Sequence, residues 1–143
     1  MPEIWVLNGP NLNLLSAREP HIYGATTLDE VEAICRVATD LPLRFHQSNS
    51  EGEILDQIHQ ACELAAGIII NPAGLSFISV AIADALEMFE GPVIELHISN
   101  IHARDPIYQK SLISPVVTAV IAGLGARGYG WAVRAMEELI AGD

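Results

Sequence analysis

The sequence has few basic residues, few cysteines and no long apolar run. Seven Lys and Arg stand against 18 Asp and Glu, which gives a formal net charge of −11. Binding to a nucleic-acid backbone needs clustered Lys and Arg, so this balance argues against a nucleic-acid partner. The longest apolar stretches, residues 65–70 and 116–124, are far shorter than the roughly 20 residues that span a bilayer. We therefore expect no membrane span.

Only two cysteines are present, and neither belongs to a CxxC motif. Cys35 and Cys62 both fall at apolar positions of helical patterns, which favours reduced core residues over a disulfide. A secretory signal begins with a basic stretch followed by an apolar one, and the first residues do not show this pattern. We expect a protein of the reducing cytoplasm.

Hydrophobic residues, by contrast, are abundant. They make up 50% of the chain, and the mean hydropathy of +0.32 is high for a small soluble monomer. Since no stretch suits a membrane, the excess predicts burial between subunits, and we expect a homo-oligomer. The 143 residues are enough for one domain, spanning 1–143, with a full core.

Strand-like and helix-like patterns alternate along the whole chain. Strands are predicted over residues 4–7, 43–46, 67–70, 92–96 and 118–122. The alternation predicts an α/β fold with a flavodoxin-like, doubly wound parallel sheet of five strands in the order 2-1-3-4-5, between two helical layers.

Four helices are predicted between and after these strands. Capping-box spacings at residues 27–30 and 50–53 open the first two. Their predicted buried faces are Val31, Ile34, Cys35 and Ala38 in the first helix, and Leu55, Ile58 and Cys62 in the second. A third, over residues 79–89, is apolar on nearly every side, which predicts contact with another subunit. The last has apolar residues at helical spacing from Tyr129 to Ile140.

Polar residues gather where the predicted strands end, which is the edge at which open parallel sheets bind ligands. Asn71 follows the third strand, and Glu95 and His97 lie at the end of the fourth. Two residues apart on a strand, Glu95 and His97 point to one face. A neighbouring carboxylate would fix the imidazole tautomer, which makes His97 a candidate proton donor. The alternative is a histidine that only satisfies buried carbonyls.

The loop after the first strand carries Arg18 and Tyr23. A guanidinium beside a phenol favours the phenolate, so Tyr23 could act as a base although the free phenol has a pKa of about 10. A Tyr23 base with a His97 acid, and no metal or cofactor, suggests elimination or isomerisation next to a carbonyl. A substrate carboxylate could be held by the backbone N–H groups of Ile98 and Ser99 and by the Asn71 amide.

Several separate blocks, in one order, resemble the type II 3-dehydroquinate dehydratases (type II dehydroquinases) over essentially the whole chain. The blocks are NGPNL at 8–12, REP at 18–20, YG at 23–24, SNSEGE at 48–53, NP at 71–72, ELHISNIHAR at 95–104, SP at 114–115 and GLGARGY at 123–129. The resemblance implies a flavodoxin-like subunit, trimers assembled into a dodecamer, and cofactor-independent dehydration of 3-dehydroquinate to 3-dehydroshikimate in the shikimate or quinate pathway.

The resemblance also implies roles for individual residues. Tyr23 would remove a C2 proton to give an enolate, and Arg18 would support the phenolate and stabilise charge. His97, oriented by Glu95, would protonate the departing C1 hydroxyl. The remaining assignments are Asn11 for a water that stabilises the enolate, Asn71, Ile98 and Ser99 for the substrate carboxylate, and Asp84 for a contact to a neighbouring subunit's site.

Two positions depart from the family pattern. Phe77 stands where a histidine usually contacts substrate, and Tyr108 stands where an arginine usually grips a ring hydroxyl. Both groups recognise the C4 and C5 hydroxyls, so the eliminating groups remain while the diol end of the pocket changes. Three hypotheses stay open: a dehydroquinase with a compensated pocket, a paralogue that eliminates water from a less hydroxylated cyclic β-hydroxy ketone acid, and a non-catalytic binding protein.

Two further patterns point away from cofactors and metals. Residues 123–128 match G-x-G-x-x-G, but only fifteen residues follow Gly128, whereas a dinucleotide site needs an acidic residue about 20 positions on. We interpret these glycines as tight strand–helix packing. The five histidines include no HxxxH or HExxH spacing, so no metal site is predicted.

Overall fold

The computed structural model describes residues 1–17, 21 and 24–142. Its sheet consists of β1 (Ile4–Asn8), β2 (Leu43–Gln47), β3 (Gly67–Asn71), β4 (Val93–His97) and β5 (Ala119–Ala122). Every neighbouring pair is parallel, and the order is β2-β1-β3-β4-β5. The predicted doubly wound, flavodoxin-like sheet is confirmed.

Four strands extend one residue beyond their predicted ends. The added residues are Asn8 in β1, Gln47 in β2, Asn71 in β3 and His97 in β4, each the last residue of its strand. Asn8, Asn71 and His97 are buried, and Gln47 is half-buried. Polar side chains at this edge of the sheet are therefore held by strand hydrogen bonds rather than by loops, which fixes their positions.

The helices α1 (Leu28–Val37), α2 (Glu51–Leu64), α3 (Val80–Met88) and α4 (Arg127–Ala141) cover the two faces of the sheet. Strand residues alternate between these faces. In β1, Ile4 and Val6 pack with α1 and α4, whereas Trp5 and Leu7 pack with α2 and α3. Both faces are apolar because both are covered, as a parallel sheet requires.

The predicted helix starts are confirmed, with one difference. Thr27 and Glu30 form a reciprocal capping box at α1. At α2 the Ser50 side chain accepts from the Glu53 backbone N–H, as predicted. The Glu53 carboxylate does not complete the capping box at the Ser50 backbone. It accepts instead from the Ser48 hydroxyl at 2.6 Å.

The predicted buried face of α2 is wrong in part. The buried residues are Ile54, Ile58 and Ala61, whereas Cys62 is exposed and Leu55 is half-buried. The spacing from Ile54 to Ile58 to Ala61 sets a helical stripe that lies about one residue away from the predicted one. Cys35 lies in the core as expected.

Short 3₁₀ turns build the rim beyond the strand ends. One follows β3 (Ala73–Phe77), and two follow β4 (Ile101–Ala103 and Pro106–Tyr108). The Leu112 N–H donates to the Ser76 carbonyl at 2.7 Å, which ties the segment after β4 to the turn after β3. Two further turns cover Leu12–Ala17 and Ser114–Val116.

One side of α3 is apolar and exposed. Val80 and Met88 keep 62% and 67% of their surface accessible, and Ile78 just before the helix keeps 71%. The predicted contact of this helix with a second subunit stays a prediction. Within the described ranges, no helix combines the length and the apolar character that crossing a membrane would require.

Candidate active site

A cavity of about 170 Å³ opens at the carboxyl edge of the sheet, beside the ends of β3 and β4 and the turn after β1. It lies where the strand order reverses, which is the predicted place for a ligand. Seven of the sequence-predicted site residues line it, namely Asn11, Asn71, Phe77, His97, Ile98, Ser99 and Tyr108. The fold thus brings together residues that are up to 97 positions apart in the chain.

Glu95 and His97 form a buried pair, as their spacing predicted. His97 Nε2 lies 2.5 Å from Glu95 Oε2, and the two residues are only 5% and 0% exposed. Their neighbours Ile94 and Leu96 pack on the opposite face of the sheet. Since Nε2 is engaged by the carboxylate, Nδ1 is the ring nitrogen that remains for a ligand in the cavity.

Two serines that the sequence analysis did not select hold the Glu95 carboxylate. The Ser111 hydroxyl donates to Oε2 at 2.6 Å, and the Ser114 hydroxyl donates to Oε1 at 2.5 Å. Burial pushes the pKa of Glu95 upward, but the hydrogen bonds from His97 and from both serines outweigh it and leave the pKa below its usual value. The carboxylate is therefore held ionised, fully hydrogen bonded and ready to orient the imidazole.

Asn71 is positioned by a buried tyrosine. The Tyr129 hydroxyl donates to Asn8 Oδ1 at 2.7 Å and accepts from Asn71 Nδ2 at 2.9 Å. Asn71 Oδ1 also accepts from the Ala73 N–H at 3.1 Å. Burial raises the pKa of Tyr129, so the hydroxyl stays protonated and keeps donating. From sequence Tyr129 was only a core residue, although a buried tyrosine hydroxyl usually needs a partner.

Two residues on the cavity rim adopt the left-handed backbone region without being glycine. These are Asn11, with φ of 72°, and Ala73, with φ of 54°. The Asn11 N–H donates to the Asn49 side-chain oxygen at 2.9 Å, which helps to hold this turn against the loop after β2. Asparagine tolerates this region better than alanine does, so Ala73 carries the greater strain.

The glycine-rich segment after β5 fixes the backbone that follows His97. The Gly123 N–H donates to the His97 carbonyl at 3.3 Å, and the Gly125 N–H donates to the Ile98 carbonyl at 3.0 Å. Gly123 and Gly125 have φ of 91° and 69°, and a Cβ on Gly128 would come within 3.2 Å of the Leu96 side chain. The interpretation as tight packing is confirmed for Gly128 and Gly123, whose added Cβ would meet Leu96 and Asn100 at 3.2 Å, but not for Gly125, where a Cβ would meet no atom within 4 Å.

The two departures from the family pattern form an aromatic wall. The Phe77 ring stacks near His97, with centroids 6.1 Å apart, and meets the Tyr108 ring edge-on at 5.6 Å. The guanidinium carbon of Arg104 lies 4.2 Å from the Tyr108 ring centroid, within cation–π distance. This wall of Phe77, Tyr108 and Arg104 closes the end of the cavity next to the turns after β3 and β4.

Three further predicted site residues remain. Arg18 and Tyr23 fall outside the described residues. Asp84 lies on the exposed side of α3 and does not line the cavity of its own chain. The resemblance assigned Asp84 to a neighbouring subunit's site, and that role stays a prediction.

Comparison with known proteins places the fold and the cavity in a family. A sequence model described as dehydroquinase class II matches residues 2–137. A protein of Cereibacter sphaeroides named 3-dehydroquinate dehydratase is 53% identical over 142 residues, which is 97% of each chain. The type II dehydroquinase structure from Propionibacterium acnes superposes with a TM-score of 0.88 at 44% identity and covers 93% of this chain and 94% of its own.

A second solved structure gives the same result. The type II dehydroquinase from Butyrivibrio crossotus superposes with a TM-score of 0.92 at 35% identity and covers 96% of this chain and 98% of its own. An α/β subunit with this strand order and a polar cavity at the switch point is thus of the dehydroquinase type. The chain belongs to the type II dehydroquinase family.

Proposed function

We propose that this protein is a hydro-lyase that dehydrates 3-dehydroquinate to 3-dehydroshikimate. The observation that carries the proposal is the buried Glu95–His97 pair, which faces the switch-point cavity of a type II dehydroquinase fold. Family membership over residues 2–137 supports the reaction class. The 3-dehydroquinate dehydratase of Cereibacter sphaeroides, at 53% identity, supports the substrate.

In this proposal the reaction is a stepwise elimination. The Tyr23 phenolate, favoured by Arg18, takes the C2 proton, and the electron pair forms an enolate with the ketone oxygen. The enolate then reforms the carbonyl as the C1–C2 double bond forms and the C1 hydroxyl leaves. A water held by Asn11 would stabilise the enolate oxygen, and no cofactor takes part.

His97 supplies the proton that turns the leaving hydroxide into water. In the imidazolium form each ring nitrogen carries a proton, so Nδ1 can give its proton while Nε2 stays bonded to Glu95. A carboxylate with depressed pKa, held by Ser111 and Ser114, keeps this orientation throughout the cycle. Glu95 is therefore a positioning residue rather than an acid.

The carboxylate of the substrate would lie at the strand ends. Asn71, Ile98 and Ser99 all line the cavity there. The glycine segment holds the carbonyls of His97 and Ile98, and in this proposal the N–H groups of Ile98 and Ser99 bind the anion. Such paired backbone donors suit a carboxylate oxygen.

The proposal includes a homo-oligomer in which trimers assemble into a dodecamer. Ile78, Val80 and Met88 form an exposed apolar surface at α3, and Asp84 lies on an exposed side of the same helix. Covering this helix with a second subunit would bury the surface and bring Asp84 to the partner's site. Each chain would act as one domain.

The proposed location is the cytoplasm. Cys35 is buried and Cys62 is exposed, and both are free thiols. Burial raises the pKa of the Cys35 thiol to about 12, so this cysteine is inert in the core. A free, exposed Cys62 fits a reducing compartment.

One observation favours a second candidate function. The Phe77 and Tyr108 rings meet edge-on at 5.6 Å. At the end of the cavity proposed for the C4 and C5 hydroxyls, these apolar side-chain rings suit a substrate ring with fewer hydroxyls. The alternative substrate is a cyclic β-hydroxy ketone acid that lacks one of the C4 and C5 hydroxyls. A higher kcat/KM for such an analogue than for 3-dehydroquinate would select this alternative.

Ultraviolet absorbance tests the proposal, because the product is a conjugated enone. Wild-type protein with 3-dehydroquinate should develop the enone band, whereas Y23F, which lacks the base, should not. The H97N variant should also lose turnover while still binding the substrate. An absence of product from folded, oligomeric wild-type protein would reject the proposal, and a fully active Y23F would remove Tyr23 from its role.

A further inference from the structure

A second cavity lies between α1 and α4, at the surface of the subunit. It has a volume of about 460 Å³, and residues of both helices line it, among them Ile34, Val37, Arg127, Gly130, Trp131 and Arg134. This volume is in the range of roughly 300–1,000 Å³ that small-molecule sites occupy. None of its lining residues lines the cavity beside His97, so this α1–α4 groove is separate from the candidate active site.

The groove contains apolar side chains that the fold leaves open to solvent. Val37 is 86% exposed and Trp131 is 54% exposed, although the other sides of their helices pack in the core. The two helices approach each other closely, because a Cβ on Gly130 would come within 3.2 Å of the Ile34 side chain. An apolar ring placed in the groove would cover Val37 and Trp131 and remove their surface from water.

Two arginines lie along the same side of α4 as Trp131. Arg127 precedes Trp131 by four residues and Arg134 follows it by three, and these spacings bring helical side chains together. The guanidinium carbon of Arg134 lies 5.3 Å from the Trp131 ring centroid, within cation–π distance. The Arg127 side chain makes no hydrogen bond, ion pair or ring contact with a described residue. Its guanidinium donors are therefore available to a ligand.

The charge of the groove is opposite to that of the whole chain. The protein carries a formal net charge of −11, yet two arginines and no acidic residue line the groove in the part of the chain that the structure describes. Arg36 and Arg44 each pair with a glutamate, whereas neither groove arginine forms an ion pair with a described residue. A ligand with an anionic group and an apolar body matches both features.

We propose that the α1–α4 groove binds an aromatic carboxylate. The ring of the ligand lies against Val37 and Trp131. Its carboxylate accepts hydrogen bonds from the Arg127 guanidinium, whose planar fork suits two oxygen atoms. Arg134 contacts the Trp131 ring and adds positive charge. The site is apart from the proposed elimination, and binding there does not depend on that reaction.

Isothermal titration calorimetry with two probes of similar shape tests the need for charge. The probes are 2-naphthoate and its neutral counterpart 2-naphthalenemethanol. Wild-type protein should bind 2-naphthoate about 10- to 100-fold more tightly, since charge-assisted hydrogen bonds form only with the carboxylate. R127Q should remove this preference and bring the two affinities within about threefold of each other.

Substitutions at Trp131 test the apolar contact. W131A removes the ring and should weaken binding of both probes about tenfold, whereas W131F keeps an aromatic ring and should retain most of the affinity. R127K keeps the charge without the planar fork and should fall between wild type and R127Q. R36Q is the matched control and should bind as wild type does, because Arg36 is an exposed arginine of α1 that does not line the groove.

Acrylamide quenching of fluorescence shows whether the groove is open in the assembled protein. The chain has two tryptophans, of which Trp5 is fully buried, so the quenching that W131F loses belongs to Trp131. We expect strong quenching of Trp131 under conditions in which light scattering shows the native assembly. A Trp131 that acrylamide does not reach would place a second subunit in the groove and overturn the proposal.

Three calorimetric results would also overturn it. No binding of 2-naphthoate by wild type would remove the site, and equal binding of the two probes would remove the need for charge. An affinity for 2-naphthoate that is unchanged in both R127Q and W131A would place the probe in another cavity. Thermal unfolding and light scattering establish that each variant is folded and assembled.

Discussion

His97 Nε2 lies 2.5 Å from Glu95 Oε2 in a pair that is nearly closed to solvent. Both residues come from one strand, so their relative position is set by the backbone of β4. The carboxylate also accepts from Ser111 and Ser114. The rigidity of the pair therefore depends on the segment after β4 as well as on the strand.

E95Q tests this arrangement through stability and its pH dependence. Removing the charged acceptor should lower the free energy of unfolding by about 2 kcal/mol at neutral pH. The pKa of Glu95 is depressed in the folded state, so its stabilising contribution is complete above the unfolded value of about 4.3 and is lost as pH falls through the folded pKa. Urea unfolding at several pH values measures the difference.

The control for this prediction is E63Q, an equivalent change at an exposed residue of α2. Its difference from wild type should stay small at every pH. A stability difference for E95Q that persists undiminished in strong acid would contradict the ionised state of Glu95. In the enzyme assay, E95Q should reduce kcat more than it raises KM, because the imidazole loses its orientation.

Y129F should destabilise the protein by about 2 kcal/mol, because it leaves polar atoms of Asn8 and Asn71 buried without their partner. S76A is a matched comparison, since the buried Ser76 hydroxyl has no hydrogen-bond partner among the described residues. Removing the Ser76 hydroxyl should change the free energy of unfolding little, or raise it. Chemical denaturation compares the two, and equal costs would contradict a structural role for the Tyr129 hydroxyl.

The double variant A73G/G74A should raise the free energy of unfolding by about 1 kcal/mol. Ala73 has φ of 54°, which glycine adopts without strain. A Cβ on Gly74 would meet no atom within 4 Å, so alanine there should stabilise by restricting the unfolded chain. A lower midpoint of thermal unfolding would show that the Ala73 methyl contributes more by packing than it costs in strain.

F77H should raise kcat/KM for 3-dehydroquinate about tenfold, because it gives a ring hydroxyl a hydrogen-bond partner that phenylalanine lacks. F77L, which is apolar and smaller, is the control and should not improve turnover. Combining F77H with Y108R, which places the usual family side chains at both positions, should improve turnover as well. If F77H is no better than F77L, the apolar wall does not limit recognition of this substrate.

Much of the fold could be predicted from local patterns. Alternating apolar runs and helical periodicities predict five parallel strands, because a helix connects each strand to the next, and the order 2-1-3-4-5 is that of the flavodoxin-like type. The turn formed by the glycines after β5 and the capping box at Thr27 could also be predicted, since each depends on local backbone geometry. The buried side of α2 could not be predicted from the sequence. Leu55 and Ile54 are both apolar, and only packing against the sheet decides which of them is buried.

Part of the site was also predictable from the sequence. The Glu95–His97 pair follows from the two-residue period of a strand, and the family follows from its ordered blocks. Other contacts became visible in the folded chain alone: Ser111 and Ser114 on the carboxylate, Tyr129 between two asparagines, and Arg104 on the Tyr108 ring. Such contacts join side chains from separate segments, and nothing in the local pattern of either segment specifies its partner; the packing of the whole chain decides which side chains meet.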